Sequence, residues 1–288
     1  MKLFLSLALF FIFCATSWSC SEDGSSGFLP TNNLYIPVGF KSSGGLTIDQ
    51  FNAVIDKVEQ TYSPIVFTMG IPLKIERSWE DGTVDAKATK MGGPRVRMFG
   101  GLARHSTITE DGFALVICHE IGHHIGGAPK VPAIFDPWAS NEGQSDYFAT
   151  LKCLRKVFLN DNNLAVVRKL KAPKALIDAC AMSWINKNDK SICIRSGMAG
   201  ASVASLFAAL GGQNESKFET PDLKVVSATF AEHSDTQCRL DTFFQGALCE
   251  ASLNDDVSQK DEVEGTCHKF LGHTIGLRPL CWFKPKKS

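Results

Sequence analysis

The 288-residue chain predicts an α+β fold: a small, mainly antiparallel sheet, a helix carrying His119 and His123, and a helical, disulfide-stapled second lobe. Three observations carry that expectation. Strand-like runs crowd the stretch before residue 103, apolar residues recur at helical spacing beyond residue 110, and eight of the ten cysteines fall from Cys118 onward.

Lys2, the apolar run over 3–14 and the small residues after it read as a secretory signal over 1–19. Cys20 behind Ser19 offers a lipid anchor as the alternative, although Ser17 stands where leucine is usual. The predicted location is therefore secreted or periplasmic, or the outer membrane for a lipidated form. No later run reaches the roughly 18 apolar residues that a spanning helix needs. Residues 20–46, with a Gly/Ser-rich junction at 23–27, read as an N-terminal linker segment. One domain follows over 47–288, with an upper lobe over about 47–128 and a helical lower lobe over about 129–288.

Thr47-Ile48-Asp49-Gln50 fits a capping box, and Phe51, Val54, Ile55, Val58 and Tyr62 follow at helical period as a backing helix. Residues 73–79 and 84–91 flank Glu80-Asp81-Gly82, whose Asp-Gly pair signals a hairpin. A further strand over 95–102 ends in Gly100-Gly101. Residues 96–102 read either as an edge on which an extended peptide pairs through its backbone or as an ordinary inner strand. Thr107-Ile108-Thr109-Glu110 fits a second capping box, opening a helix that Gly126-Gly127 and Pro129 terminate. Residues 141–158, 164–184, 198–210 and 235–249 then read as helices.

His119-Glu120-Ile121-Gly122-His123 lies on the first of the later helices and matches H-E-x-x-H. Four helical residues bring the two imidazoles within roughly 40° of one another, so both can grip one metal ion while Glu120 reaches a water beside it. Catalytic zinc takes three protein ligands and keeps one position open. Downstream, Asn141-Glu142-Gly143-Gln144-Ser145-Asp146 offers Glu142 as the third ligand and Asp146, one turn later, as acceptor for the far N–H of an imidazole. This pair of motifs resembles the thermolysin-type (gluzincin) zinc metallopeptidases. The resemblance implies a zincin-like fold, Glu142 as zinc ligand and Asp146 as the residue orienting His119. The metzincin pattern needs a histidine or aspartate where Pro129 stands.

His233-Ser234-Asp235-Thr236-Gln237-Cys238-Arg239 resembles the His-Pro-x-x-x-x-Arg signature of the CAAX prenyl protease family and its soluble periplasmic relatives. It implies that His233 and Arg239 line the active cleft, with His233 as oxyanion donor. Ser234 replaces the proline, and the interval from His123 to Glu142 is shorter than in that family. The expected function is a secreted zinc endopeptidase with Glu120 as general base, acting on protein or peptide substrates. A zinc amidase of cell-wall cross-links is the first alternative. The second is a non-catalytic envelope protein with a structural zinc site, although such sites close with four ligands and have no use for Glu120.

Lys+Arg and Asp+Glu number 30 each, so no global field recruits nucleic acid. The Lys284-Pro285-Lys286-Lys287 run reads as a solvated tail, and no motif specifies an oligomeric state. Tyr147 reads as a packing residue. His124 faces away from the metal pair, and His105, His268 and His273 have no partner at ligand spacing. Cys14 leaves with the signal and Cys20 sits at its end, so eight cysteines remain for four disulfides with 105 possible connectivities. Cys180 and Cys193, flanking 186–189, are the easiest local pair, whereas Cys238 and Cys249 share one helix at too great a separation. Cys118 points about 100° away from His119 and reads as core or disulfide.

Overall fold

The computed structural model describes residues 26–40, 44–68, 70–133, 136–211 and 215–286. The expected signal segment, Cys14, Cys20 and Lys287 lie outside these residues. The fold is mixed α+β. Strand β1 (Ser26–Gly27) is followed by helix α1 (Ile48–Phe67), strands β2 (Lys74–Ser78), β3 (Ala86–Thr89) and β4 (Arg95–Phe99), and the short helix α2 (Gly100–Arg104). Then come α3 (Glu110–Ile125), α4 (Glu142–Phe148), a π-helical stretch at Ala149–Cys153 and α5 (Leu154–Val157). Helices α6 (Asn163–Val167), α7 (Lys174–Ser183), α8 (Lys187–Gly211) and α9 (Thr236–Leu248) complete the set.

Helix α1 begins where the capping box puts it: Gln50 N donates to Thr47 Oγ1 at 3.2 Å and Thr47 N donates to Gln50 Oε1 at 2.9 Å. Its Phe51, Val54, Ile55, Val58 and Tyr62 face is buried. The cap of α3 falls two residues later than Thr107, because Thr109 Oγ1 accepts from Gly112 N at 3.0 Å while Thr107 pairs with the His105 ring.

The sheet departs from one expectation. Its order is β1-β3-β4-β2, with β3 antiparallel to both β1 and β4, and β2 parallel to β4. Segments 73–79 and 84–91 therefore form no hairpin. The Asp81-Gly82 turn gives its polar groups elsewhere: Gly101 N donates to Asp81 O at 3.0 Å, Ile36 N to Gly82 O at 2.7 Å, and the Arg104 guanidinium to Trp79 O at 2.8 Å. Strand β4 then inserts between β2 and β3. Gly100 and Gly101 permit this crossing, since a Cβ on either would lie within about 2 Å of the carbonyl oxygen of Trp79 or Gly82. The choice between the two readings of 96–102 follows from this crossing: residues 95–99 form an inner strand and 100–104 a helix, so 96–102 offers no free edge for a peptide.

The supposed linker over 20–46 is also structural where it is described. Phe28, Leu29, Ile36 and Leu46 are buried in the main core, and Phe28 N extends the β1 pairing by donating to Ala86 O at 2.9 Å. That core runs without interruption from Phe28 to Cys267 through α1, the sheet, α3, the π-helical stretch and α8, so residue 128 divides no separate cores.

Among the described residues beyond Gly127 (φ +87°), helices recur up to Leu248 between irregular connections, and the rest is mostly irregular, with a 3₁₀ turn at Lys269–Leu271. The lower part is thus less of a bundle than the apolar spacing predicts. Helix α8 is long and apolar enough to pass for a membrane span, but 72 % of its most apolar stretch is buried, as in a core helix. Four disulfides are present among the described residues: Cys118–Cys153, Cys180–Cys193, Cys238–Cys281 and Cys249–Cys267. The last two tie the irregular C-terminal segment to α9, and such bridges fit an extracellular or periplasmic setting.

Candidate metal centre

Helix α3 presents His119, Glu120 and His123 inward, all essentially without solvent exposure. Asn141 caps α4 by accepting from Gln144 N at 2.8 Å, which sets Glu142 in the first helical turn and Asp146 one turn on. The ligating atoms of His119, His123 and Glu142 lie within 4.8 Å of one another. His119 Nε2 stands 3.1 Å from Glu142 Oε2, and His123 Nε2 stands 3.7 Å from Glu142 Oε1.

Hydrogen bonds behind the rings decide what these contacts mean. His119 Nδ1 donates to Asp146 Oδ1 at 2.7 Å, and His123 Nδ1 donates to Ser140 O at 2.8 Å, with Ser145 Oγ also 3.2 Å away. Both Nε2 atoms of the neutral rings then carry lone pairs aimed at a carboxylate. Lone pair against anion is repulsive, so the group closes only around a cation or a proton. The same point emerges from the buried polar atoms without a hydrogen-bond partner. Among the described residues there are eleven, and seven belong to His119, Glu120, His123, Glu142 and His233. Buried polar atoms are otherwise nearly always satisfied. Two imidazoles and a carboxylate converging at this spacing can hold a metal ion, and the donor set suits a divalent one.

Electrostatics agree. Burial opposes a charged His119, yet Asp146 and Glu142 outweigh it and raise its pKa to about 9. Burial lowers His123 to about 4, leaving its ring neutral for a metal. Glu142, although buried, is held below the usual carboxylate range by His233, His123 and His119. Glu120 moves the other way: burial, then Glu142 and Asp85, pushes it well above that range.

His233 and Arg239 reach the same centre from the segment that opens α9. His233 Nε2 lies 3.2 Å from Glu142 Oε2, and burial lowers its pKa. Arg239 grips Asp146 with both arms, Nε to Oδ2 and Nη2 to Oδ1 at 2.8 Å each. All seven residues singled out from the sequence therefore meet in one place. Tyr147 packs in the core with its hydroxyl bonded to Gly276 O, and His124 Nε2 faces Arg95 O at 3.2 Å, away from the centre.

Four participants carry no sequence signal strong enough to single them out. Ser140 orients His123 through its carbonyl, which any residue type possesses. Ser145 lies inside the Asn141–Asp146 motif, but only the fold brings its hydroxyl to 3.2 Å from His123 Nδ1. Phe28 sets its ring edge against His119, with centroids 4.8 Å apart. Asp85, raised to about 6 by burial, accepts from Leu29 N and adds negative charge beside Glu120 and Glu142.

Gly143, between Glu142 and the rest of α4, has a separate reason for being glycine: a Cβ there would sit 2.2 Å from the Trp282 ring. Gly143→Ala is expected to cost about 1–3 kcal/mol of unfolding free energy in urea denaturation and to weaken metal retention by displacing Glu142.

Fold and centre together define an α+β, disulfide-bonded protein with a buried His-His-Glu cluster able to hold a metal ion. Comparison with protein-family models, with curated proteins and with solved structures yields no match.

Proposed function

We propose that the protein is a secreted, zincin-like zinc endopeptidase of the gluzincin kind. The observation that carries this reading is the orphaned Glu120 carboxylate, buried beside Glu142 and two imidazoles that already have their orienting partners. A metal held for structure alone has no need of that carboxylate.

His119, His123 and Glu142 would hold the zinc. When bound, zinc supplies Lewis acidity that polarises a peptide carbonyl and makes water a better nucleophile. Glu120 accepts a proton from the attacking water and returns it to the leaving nitrogen, a task helped by the raised proton affinity that its burial produces. Asp146, charged and clamped by Arg239, holds His119 in the tautomer that bares Nε2. In its Nε2–H tautomer, His233 donates to the carbonyl oxygen as negative charge develops there.

The test is cleavage of an unfolded protein by the zinc-loaded chain from about pH 5 to about pH 9. Chelation should abolish it and added zinc restore it. A protein that retains one zinc yet cleaves nothing across that range would overturn the reading.

One observation favours a second reading. With His233 Nε2 3.2 Å from Glu142, the centre has a possible fourth donor, and a four-donor site is the structural kind. His233→Ala separates the two: the peptidase keeps its zinc and loses rate, whereas a structural staple loses its metal.

Metal uptake should also depend on pH. His119, whose pKa Asp146 and Glu142 raise to about 9, would have to give up a proton before its Nε2 could bind a metal ion. Affinity is therefore expected to climb about tenfold per pH unit below that value and to level off above it. Competition against a chelator of known pH dependence measures the slope.

A further inference from the structure

The C-terminal stretch that reads as a solvated tail is bound to the body of the protein. Lys284 N donates to Thr229 Oγ1 at 3.0 Å, the Thr229 hydroxyl donates to Lys284 O at 3.3 Å, and Phe230 N donates to Trp282 O at 2.8 Å. Anchored in this way, the stretch forms one wall of a surface cleft of about 560 Å³, a volume typical of ligand sites. The charged side chains lining it are Lys130, Lys260, Lys284, Lys286 and a single carboxylate, Glu262.

That carboxylate is already engaged, with Lys286 Nζ 3.5 Å away. Among the described residues, Lys130, Lys260 and Lys284 have no carboxylate within ion-pair distance. Lys130 is the telling one. It is half-buried, and its ammonium donates only to neutral acceptors: Trp138 O at 3.1 Å, Ser140 Oγ at 3.4 Å and the Gln259 amide oxygen. Burial lowers its pKa to about 8, the mark of a cation short of negative charge. A partly desolvated cation without a counter-charge is costly, and an incoming anion would relieve that cost.

We propose that this cleft docks an acidic segment of a polypeptide chain, whose carboxylates pair with Lys130, Lys260 and Lys284. Compact phosphates are usually taken by helix N-termini and by the arginine fork. Two helix ends lie beside the cleft: the C-terminus of α3, where Gln259 Nε2 donates to Ile125 O at 3.1 Å, and the start of α4, whose Asn141, Glu142 and Gln144 N–H groups already donate to Pro129 O, Ala231 O and Asn141 Oδ1, and the cations are lysines spread along the walls. Dispersed point charges suit carboxylates strung along an extended chain.

The cleft also abuts the segments that hold the metal centre. Lys130 touches Ser140, whose carbonyl orients His123. Thr229 leads into Phe230 and Ala231, whose carbonyls accept from the Asn141 amide at 3.4 Å and from Glu142 N at 3.3 Å. An acidic chain seated in the cleft is thereby held close to the centre. This selection of partner goes beyond the hydrolytic reading and stands without it.

The experiment is fluorescence anisotropy of a labelled oligoglutamate peptide, against its oligoglutamine counterpart, with the metal-loaded full chain. The acidic peptide alone should bind, more weakly as salt rises. Lys260→Gln with Lys284→Gln, both at the surface, should weaken it about tenfold or more, at about fivefold per ion pair, with the thermal unfolding profile unchanged. Equal binding of the two peptides, or unchanged affinity in the double variant, would overturn the proposal. So would lysine-dependent sedimentation with phosphatidylglycerol vesicles in the absence of peptide binding, which would make the partner a lipid surface. No turnover is read, so failure of the peptidase reading leaves this test intact.

Discussion

Glu120→Gln is expected to lower turnover of unfolded protein by about 10²–10⁴-fold while zinc stays at one per chain. Glutamine fills the same volume at a position with no solvent exposure, so the packing of α3 against α4 is kept. What disappears is the capacity to take a proton. Neither oxygen of Glu120 bonds to any other group, so the substitution disturbs no structural contact. Glu142→Ala is the matched contrast. It removes the atoms that face His119 Nε2 at 3.1 Å and His123 Nε2 at 3.7 Å, and the metal should be lost together with activity. Turnover and zinc content measured on the same preparations distinguish the two roles. Variants that match each other in both quantities would contradict the assignment of base and ligand.

Arg239→Leu should destabilise the fold by about 3–5 kcal/mol and lower zinc affinity by about 10- to 100-fold. The guanidinium lies between the rings of Phe28 and Phe207, with centroids 4.7 and 4.1 Å away, and its remaining arm donates to Phe28 O at 3.0 Å. Leucine restores part of that apolar packing but none of the charge. Asp146 would then be a buried anion whose only other partner is His119. Much of the cost comes from that stranded carboxylate, so adding Asp146→Asn to Arg239→Leu should recover part of the stability without recovering zinc affinity. Urea denaturation of the metal-free chains reads the first quantity, and chelator competition reads the second. An Arg239→Leu protein as stable as the parent would mean that the buried pair contributes nothing.

Spacing within one helix is readable because rise and rotation per residue are constant. His119 and His123 had to share a face, Asp146 had to follow Glu142 by a turn, and the caps at Thr47 and Asn141 are short-range chemistry. The Cys180–Cys193 pair was readable for the same reason, since only twelve residues separate its ends. The sheet was not. An Asp-Gly turn can close a hairpin or feed a crossing, and here Arg104, Gly101 and Ile36 take the turn's carbonyls and send β3 to the far side of β4. Nor did residues 26–46 announce themselves, because Phe28 and Leu29 become core only once β3 offers them an edge.

Composition and local pattern therefore established a helical, cysteine-bonded α+β chain and the identity of the side chains able to meet a metal. Their meeting belongs to packing between distant segments. Glu142 finds the two imidazoles because α4 lies against α3, and His233 and Arg239 join them because α9 packs on α4. Contacts of that kind rest on burial and shape complementarity among residues far apart in the chain, which leave no fixed spacing to read. The basic cleft is of the same origin: Lys130 and Lys284 become neighbours only through the Thr229 anchor, and nothing in the order of residues brings them together.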